Sequence, residues 1–187
     1  MLMSRIPLGE IIELDPAYDP NLKAPASAWE AAFRQCMRRL ASGVSVVTCR
    51  SGDDVVGITA TSVTSLSMSP PSLLVAMRSA SSSLPHLLKA RRFSVHLLDE
   101  AGQRAADAFA GRLGPAPRRD LVKIDITQDG ERLPTSLAAI DCRLARTIPV
   151  YTHTLLVGVV ENAEIAGDGD PLIYFDGAYR QMRRPED

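Results

Sequence analysis

Between positions 28 and 41 the apolar residues Trp29, Phe33, Cys36, Met37 and Leu40 recur at helical spacing, with Arg34, Arg38 and Arg39 set elsewhere. That periodicity predicts an amphipathic helix over 28–41 whose apolar face packs into the core. Ser27 and Glu30 have capping-box spacing at its start, and Gly43 is placed to stop it in a left-handed conformation. Beyond it the period changes. Short β-like runs occupy 44–50, 55–62 and 72–77, the first two separated by Gly52-Asp53-Asp54 as in a hairpin. A short helix over 84–90, a strand over 93–98 and a second amphipathic helix over 101–109 follow. Residues 111–120, with Gly114, Pro115 and Pro117, read as a loop. Two later strands span 137–147 and 154–165, and the turn Gly167-Asp168-Gly169-Asp170 leads into a last short strand over 172–175.

Strands dominate, helices are inserted singly, and regular βαβ alternation is missing. This order predicts a closed antiparallel barrel rather than a parallel sheet. Residues 1–26 carry Pro7, Pro16, Pro20 and Pro25 and read as an extended arm, leaving 27–187 as one folded domain.

Composition narrows the function. A formal net charge of −1 argues against a nucleic-acid partner, which requires a surplus of Lys and Arg on one face. The basic pairs Arg38-Arg39, Arg91-Arg92, Arg118-Arg119 and Arg183-Arg184 read as solvated surface, unless one faces an anionic ligand. The cysteines Cys36, Cys49 and Cys142 are odd in number and widely spaced, so each is expected to be a small buried hydrophobe in a reducing, cytoplasmic setting. Glu10, Glu13 and Asp15 interrupt the apolar stretch that a secretion signal would need, and no segment reads as membrane-spanning.

Several familiar sites fail on inspection. Gly52 and Gly57 have P-loop spacing, but Ile58 and Thr59 follow where Lys and Ser or Thr are required. No Gly-x-Gly-x-x-Gly follows a strand, and no serine sits in a nucleophile elbow. His86, His96 and His153 lie far apart, so no metal site is expected.

What remains is the uncharged, hydroxyl-rich segment from Gly57 to Pro71. Its hydroxyls and bend N–H groups suit the polar edge of a flat heterocycle, and its lack of charge suits the ring face. A Ser/Thr-rich edge strand would show the same composition. Downstream, Arg78 and the serines Ser79, Ser81, Ser82 and Ser83 precede Leu84-Pro85 at the start of the short helix. One serine is enough for a cap; four beside an arginine favour an anion.

In order and spacing, these blocks resemble the short-chain flavin reductases, the reductase components of two-component flavin monooxygenases. The blocks are Leu40-Ala41-Ser42-Gly43-Val44-Ser45-Val46-Val47-Thr48, then Gly57–Pro71 and the serine cluster. Arg92-Phe93-Ser94-Val95-His96-Leu97-Leu98, Gln103, Phe109-Ala110-Gly111 and the run from Pro171 to Tyr179 complete the set. The resemblance implies a six-stranded antiparallel Greek-key split β-barrel and a homodimer binding FMN or FAD near the subunit interface. It implies hydride transfer from NADH or NADPH, with reduced flavin passed to a partner oxygenase. Carried over by position, Thr59, Ala60, Thr61, Ser62, Ser65 and Leu66 would face the isoalloxazine and ribityl chain. Ser79, Ser81 and Ser82 would hold the phosphate, and Ala110 would approach through its backbone.

Two positions depart from the family pattern. A Gly-Asp-His turn associated with the nicotinamide cofactor is here Tyr151-Thr152-His153, which keeps His153 as the one candidate catalytic residue, in contact with nicotinamide or flavin, where a surface or interface histidine would look the same. His96 stands where the family more often has Asn, and is expected to be a strand residue bonded to a neighbour. A flavin-binding electron carrier, or a non-catalytic split-barrel subunit, would share much of this pattern.

Overall fold

In the computed structural model, residues 28–182 are described. The expected arm over 1–26 and the Ser27 cap lie outside them. The first element is α1 (Ala28–Met37), shorter than the periodicity predicts. Two expectations about it are corrected. Gly43 does not stop the helix but lies in the two-residue strand β1 (Ser42–Gly43), paired with Ile173. The apolar face does not enter the core of this chain: Trp29 is 82% and Phe33 67% exposed, and Met37 and Leu40 are exposed as well. Cys36, on the same helix, is exposed rather than buried, whereas Cys49 and Cys142 are buried as expected.

The main sheet is built from β2 (Ser45–Ser51), β3 (Asp54–Ala60), β4 (Val63–Met68), β5 (Pro71–Arg78), β6 (Arg92–Leu98), β9 (Ser136–Val150) and β10 (His153–Ile165). The intervening β7 (Asp125–Ile126) and β8 (Glu131–Arg132) form a separate small hairpin. The main sheet has the order β3-β2-β6-β9-β10-β5-β4, and every neighbouring pair is antiparallel. In chain order β3 and β4 are consecutive, yet they occupy opposite edges. Six gaps of about 4.8 Å would hold the edges of a flat sheet about 29 Å apart. Three residue steps reach at most about 11 Å. The sheet must therefore curl until its edges meet, with the seam at Thr61-Ser62, and this produces the split barrel.

Its interior confirms the curl. Val47, Ala60, Val75, Phe93, Leu144 and Leu156, from β2, β3, β5, β6, β9 and β10, join one buried cluster. All six strands expected of the barrel contribute, and β4, a seventh strand of the same sheet that is mostly exposed, adds Val63 against this interior. Leu84 and Leu87 of α2 (Leu84–Ala90) plug one end of this interior.

β2 and β6 are buried on both faces, which is why they read as nearly continuous apolar runs. On their outer face Val46 and Leu98 pack with Ala105, Ala106 and Phe109 of α3 (Gln103–Phe109), and with Leu133 and Leu172. A short α4 (Arg118–Leu121) closes the region expected to be all loop. β11 (Ile173–Phe175) and β12 (Ala178–Arg180) form a small sheet with β1. Among the described residues, no helix is long and apolar enough to cross a membrane.

Beneath the β7–β8 hairpin lies a buried polar network. Arg132 makes a bidentate pair with Asp141 (3.0 and 2.6 Å), and Ser94 and Asn162 also donate to that carboxylate. Burial alone would raise the Asp141 carboxyl. The hydrogen bonds from Arg132, Ser94 and Asn162 outweigh it and hold the group below its ordinary 3.8. Beside this cluster, His96 bonds the Thr48 hydroxyl at 3.0 Å, the neighbour contact expected of it.

Candidate functional site

Three segments distant in sequence meet around one open cavity of about 310 Å³. Gly57 and Ile58 of β3 form its floor, Arg78 and Ala80–Ser83 form one wall, and Phe109–Gly111 with Arg118 form the other. β3 lies close against β2 at this floor because residue 57 has no side chain: a Cβ there would lie 2.2 Å from the Val47 carbonyl oxygen. The Ser83 hydroxyl donates to the Gly57 carbonyl at 2.8 Å and so ties the serine segment to the floor. Ser83 N in turn donates to the Ser81 hydroxyl at 3.3 Å. Gly111, with φ +76°, turns the chain away after α3, so that Ala110 faces the opening.

The electrostatics of this cavity are one-sided. Arg78 has no carboxylate partner among the described residues, and neither does Arg118, whose guanidinium donates only to the carbonyls of Gly114 and Ala116, both at 3.3 Å. Ser82 is exposed and points no hydroxyl hydrogen bond at the protein among the described residues. Two guanidiniums without a carboxylate partner, beside the Ser82 hydroxyl and a Ser81 hydroxyl that accepts from Ser83 N and keeps its own proton to donate, make the donor set that a phosphate ester requires.

Of the residues expected from sequence, Ser81, Ser82 and Ala110 line this cavity. Ser79 lies at its edge, its hydroxyl shared with Thr154 at 3.0 Å and its N–H donated to the Thr152 carbonyl at 2.9 Å. His153 is half-buried and stands opposite Arg78 across the β5–β10 pairing, its Nδ1 3.0 Å from the Thr152 hydroxyl. The Tyr151-Thr152-His153 turn thus abuts the serine segment, although the two are far apart in sequence. The other expected residues do not line the cavity. Thr59 is half-buried and donates to the Ala106 carbonyl, Ala60 is in the barrel core, and Ser62 donates to the Ala76 carbonyl at 2.7 Å. Thr61, Ser65 and Leu66 are exposed along the seam and on β4, forming an open ledge.

Arg118 is the residue the sequence reading placed on the surface. Gly57, Arg78 and the serines lie far before it in sequence, and no local pattern announces that the loop folds back over β3. Arg119, which donates to the Asp53 carbonyl at 2.8 Å, anchors that return. Among the described residues, no group of His, Cys, Asp and Glu side chains is placed to hold a metal ion.

Comparison with known proteins agrees with this geometry. The family model described as "Flavin reductase like domain" matches residues 37–183. The reductase component of 4-hydroxyphenylacetate 3-monooxygenase from Thermus thermophilus is 37% identical over 154 residues, covering 82% of this chain and 97% of that protein. An FMN reductase (NADH) of Methylorubrum extorquens is 37% identical over 164 residues, covering 87% and 95% respectively. Among solved structures, the styrene monooxygenase flavin reductase of Pseudomonas putida S12 superposes with a TM-score of 0.73 at 27% identity, covering 82% of this chain and 99% of that one.

Proposed function

Since the chain belongs to the flavin reductase-like family, we propose that it reduces FMN or FAD with NADH or NADPH and supplies the reduced flavin to a partner monooxygenase. The observation that carries this reading is the meeting of Arg78, Ser81, Ser82, Ala110 and Arg118 around one cavity, with no carboxylate among its described lining residues.

When both cofactors are bound, the nicotinamide supplies a hydride and the flavin ring accepts it. The protein's share is binding, orientation and the exclusion of water. In this reading Arg78, Arg118, Ser81 and Ser82 hold the flavin phosphate by charge-assisted hydrogen bonds. Ser79 supports them from the edge, and Ala110 contributes through its backbone. Thr61, Ser65 and Leu66 offer the exposed ledge to the ring, while Thr59, Ala60 and Ser62 fix the strand that presents it. His153 contacts the nicotinamide from the turn beside Arg78. No residue need move a proton for hydride transfer itself.

The exposed apolar face of α1 supports a homodimer, because Trp29, Phe33, Met37 and Leu40 would otherwise leave a large patch in water. The cytoplasm is the proposed setting. Anaerobic stopped-flow oxidation of NADH with FMN and FAD in turn tests the proposal. Rapid loss of NADH absorbance that requires added flavin is the expected result. Flavin binding without NADH or NADPH oxidation would leave an electron carrier, and no flavin binding would leave a non-catalytic subunit.

A further inference from the structure

A second cavity, of about 250 Å³, adjoins the first. The two share Gly57, Ser82, Ser83 and Arg118, so the Arg118 side chain lies on the boundary between them. The second is bounded by the start of β3, by His86 of α2 and by Pro115-Ala116-Pro117 of the returning loop. Nothing in the reading of the first cavity uses this space.

We infer that the cavity beyond Arg118 receives the adenylate half of FAD, which makes FAD rather than FMN the preferred flavin. This rests on the flavin-reductase reading above and adds a specificity to it. FMN ends at the phosphate that the serines hold. In FAD a second phosphate follows through a single bridging oxygen, so it must emerge beside the first. Arg118 borders both compartments, has no carboxylate partner among the described residues, and can meet both phosphates.

The rest of the second cavity suits a nucleoside. Asp54 lines it with a carboxylate of which Oδ1 already accepts the Val55 N–H at 2.8 Å. The other oxygen is suited to ribose hydroxyls, as carboxylates are in dinucleotide sites. His86 is exposed, and its Nδ1 lies 2.7 Å from the Ser51 hydroxyl, which fixes the ring against which an adenine can stack. The adenine dinucleotide NADH carries the same adenylate chemistry. The covalent continuity with a phosphate held by Ser81 and Ser82 favours the flavin.

The test is equilibrium binding of riboflavin, FMN and FAD to the full chain, alongside KM for NADH. Wild-type protein is expected to bind FAD at least about fivefold tighter than FMN, the scale of one stacked base. His86→Ala and Asp54→Asn touch only the second cavity. Each should weaken FAD by about threefold or more and leave FMN and riboflavin unchanged, the latter showing that the fold is intact. Equal wild-type affinities for FMN and FAD would overturn the inference, as would variants that weaken both flavins in proportion. A raised KM for NADH with FAD affinity untouched would assign the cavity to the nicotinamide dinucleotide instead. Binding of no flavin at all would remove the reductase reading itself, whereas FMN reduction with no advantage for FAD would remove only this specificity.

Discussion

The hydroxyl of Ser83 donates to the backbone carbonyl of Gly57 at 2.8 Å, and this buried bond joins the serine segment to the barrel strand beneath it. Gly57 sits against β2 so closely that a methyl group there would meet the Val47 carbonyl at 2.2 Å. Gly57→Ala should therefore push β3 away from β2 and lower stability by about 1–3 kcal/mol, the usual range for overpacking. It should also raise KM for flavin, because the cavity floor moves with the strand. Ser83→Ala removes one neutral hydrogen bond and should cost about 1 kcal/mol. Urea denaturation gives the first quantity and initial rates the second; a Gly57→Ala protein with unchanged denaturation midpoint contradicts the packing argument.

The unbalanced arginines predict which part of the flavin they read. Arg78→Gln should weaken FMN binding by about tenfold, on the scale of one charge-assisted hydrogen bond, and should leave riboflavin unaffected. Raising the salt concentration should mimic the substitution in wild type, since exposed charges are screened. Equal losses for FMN and riboflavin would show that Arg78 serves the fold and not the phosphate.

The strands β2, β3, β5, β6, β9 and β10 were legible in the sequence because the barrel core imposes alternation on some strands and a continuous apolar run on those buried twice. The helix 84–90 was legible from its serines and proline. What escaped was everything decided by contact at long range. β4 was read as a bend because its residues are mostly exposed and carry no apolar alternation. The β7–β8 hairpin is held by Glu131 and Arg132 against Thr48 and Asp141, partners from other strands that no local pattern reveals. The helix 28–41 was given a core-facing role on periodicity alone, but periodicity cannot say whether the partner is the same chain. The serine segment was identified from its composition, while Arg118 required the loop's return over β3.

His96 sets the acid limit of stability. It is 0% exposed, and burial first and Arg132 second push it down from 6.5 to about 4, with Asp141 partly opposing. Thr48 donates its hydroxyl to Glu131, so the shared bond to His96 carries the imidazole's Nε2 proton, and Nδ1 is left an acceptor with no partner among the described residues. Because the folded-state value is depressed, the stabilisation is complete above pH 6.5 and is lost as pH falls toward about 4. The loss over that window is about 3 kcal/mol. Denaturation midpoints at several pH values should fall across it, and His96→Asn should flatten the decline. An identical slope in the variant would assign it to other groups. Asp141, held below 3.8, contributes only at lower pH.

The turn before β10, Tyr151-Thr152-His153, is where the proposed hydride transfer is most open to test. Val150 and His153 pair across it, and Tyr151 takes φ +50°, a left-handed conformation that favours glycine. Tyr151→Gly should therefore leave the hairpin intact and gain up to about 1 kcal/mol from relieved backbone strain, offset by greater unfolded-state entropy. The Thr152 carbonyl, which accepts the Ser79 N–H at 2.9 Å, should stay in place, so flavin affinity should not change. With the exposed ring gone from beside His153, KM for NADH should fall. His153→Ala should move it the other way, raising KM for NADH by about tenfold, as expected for one lost polar contact to a charged ligand, with FMN affinity unaltered. The two substitutions separate the roles cleanly. If both leave KM for NADH unchanged while flavin is still bound, the nicotinamide does not approach from this turn.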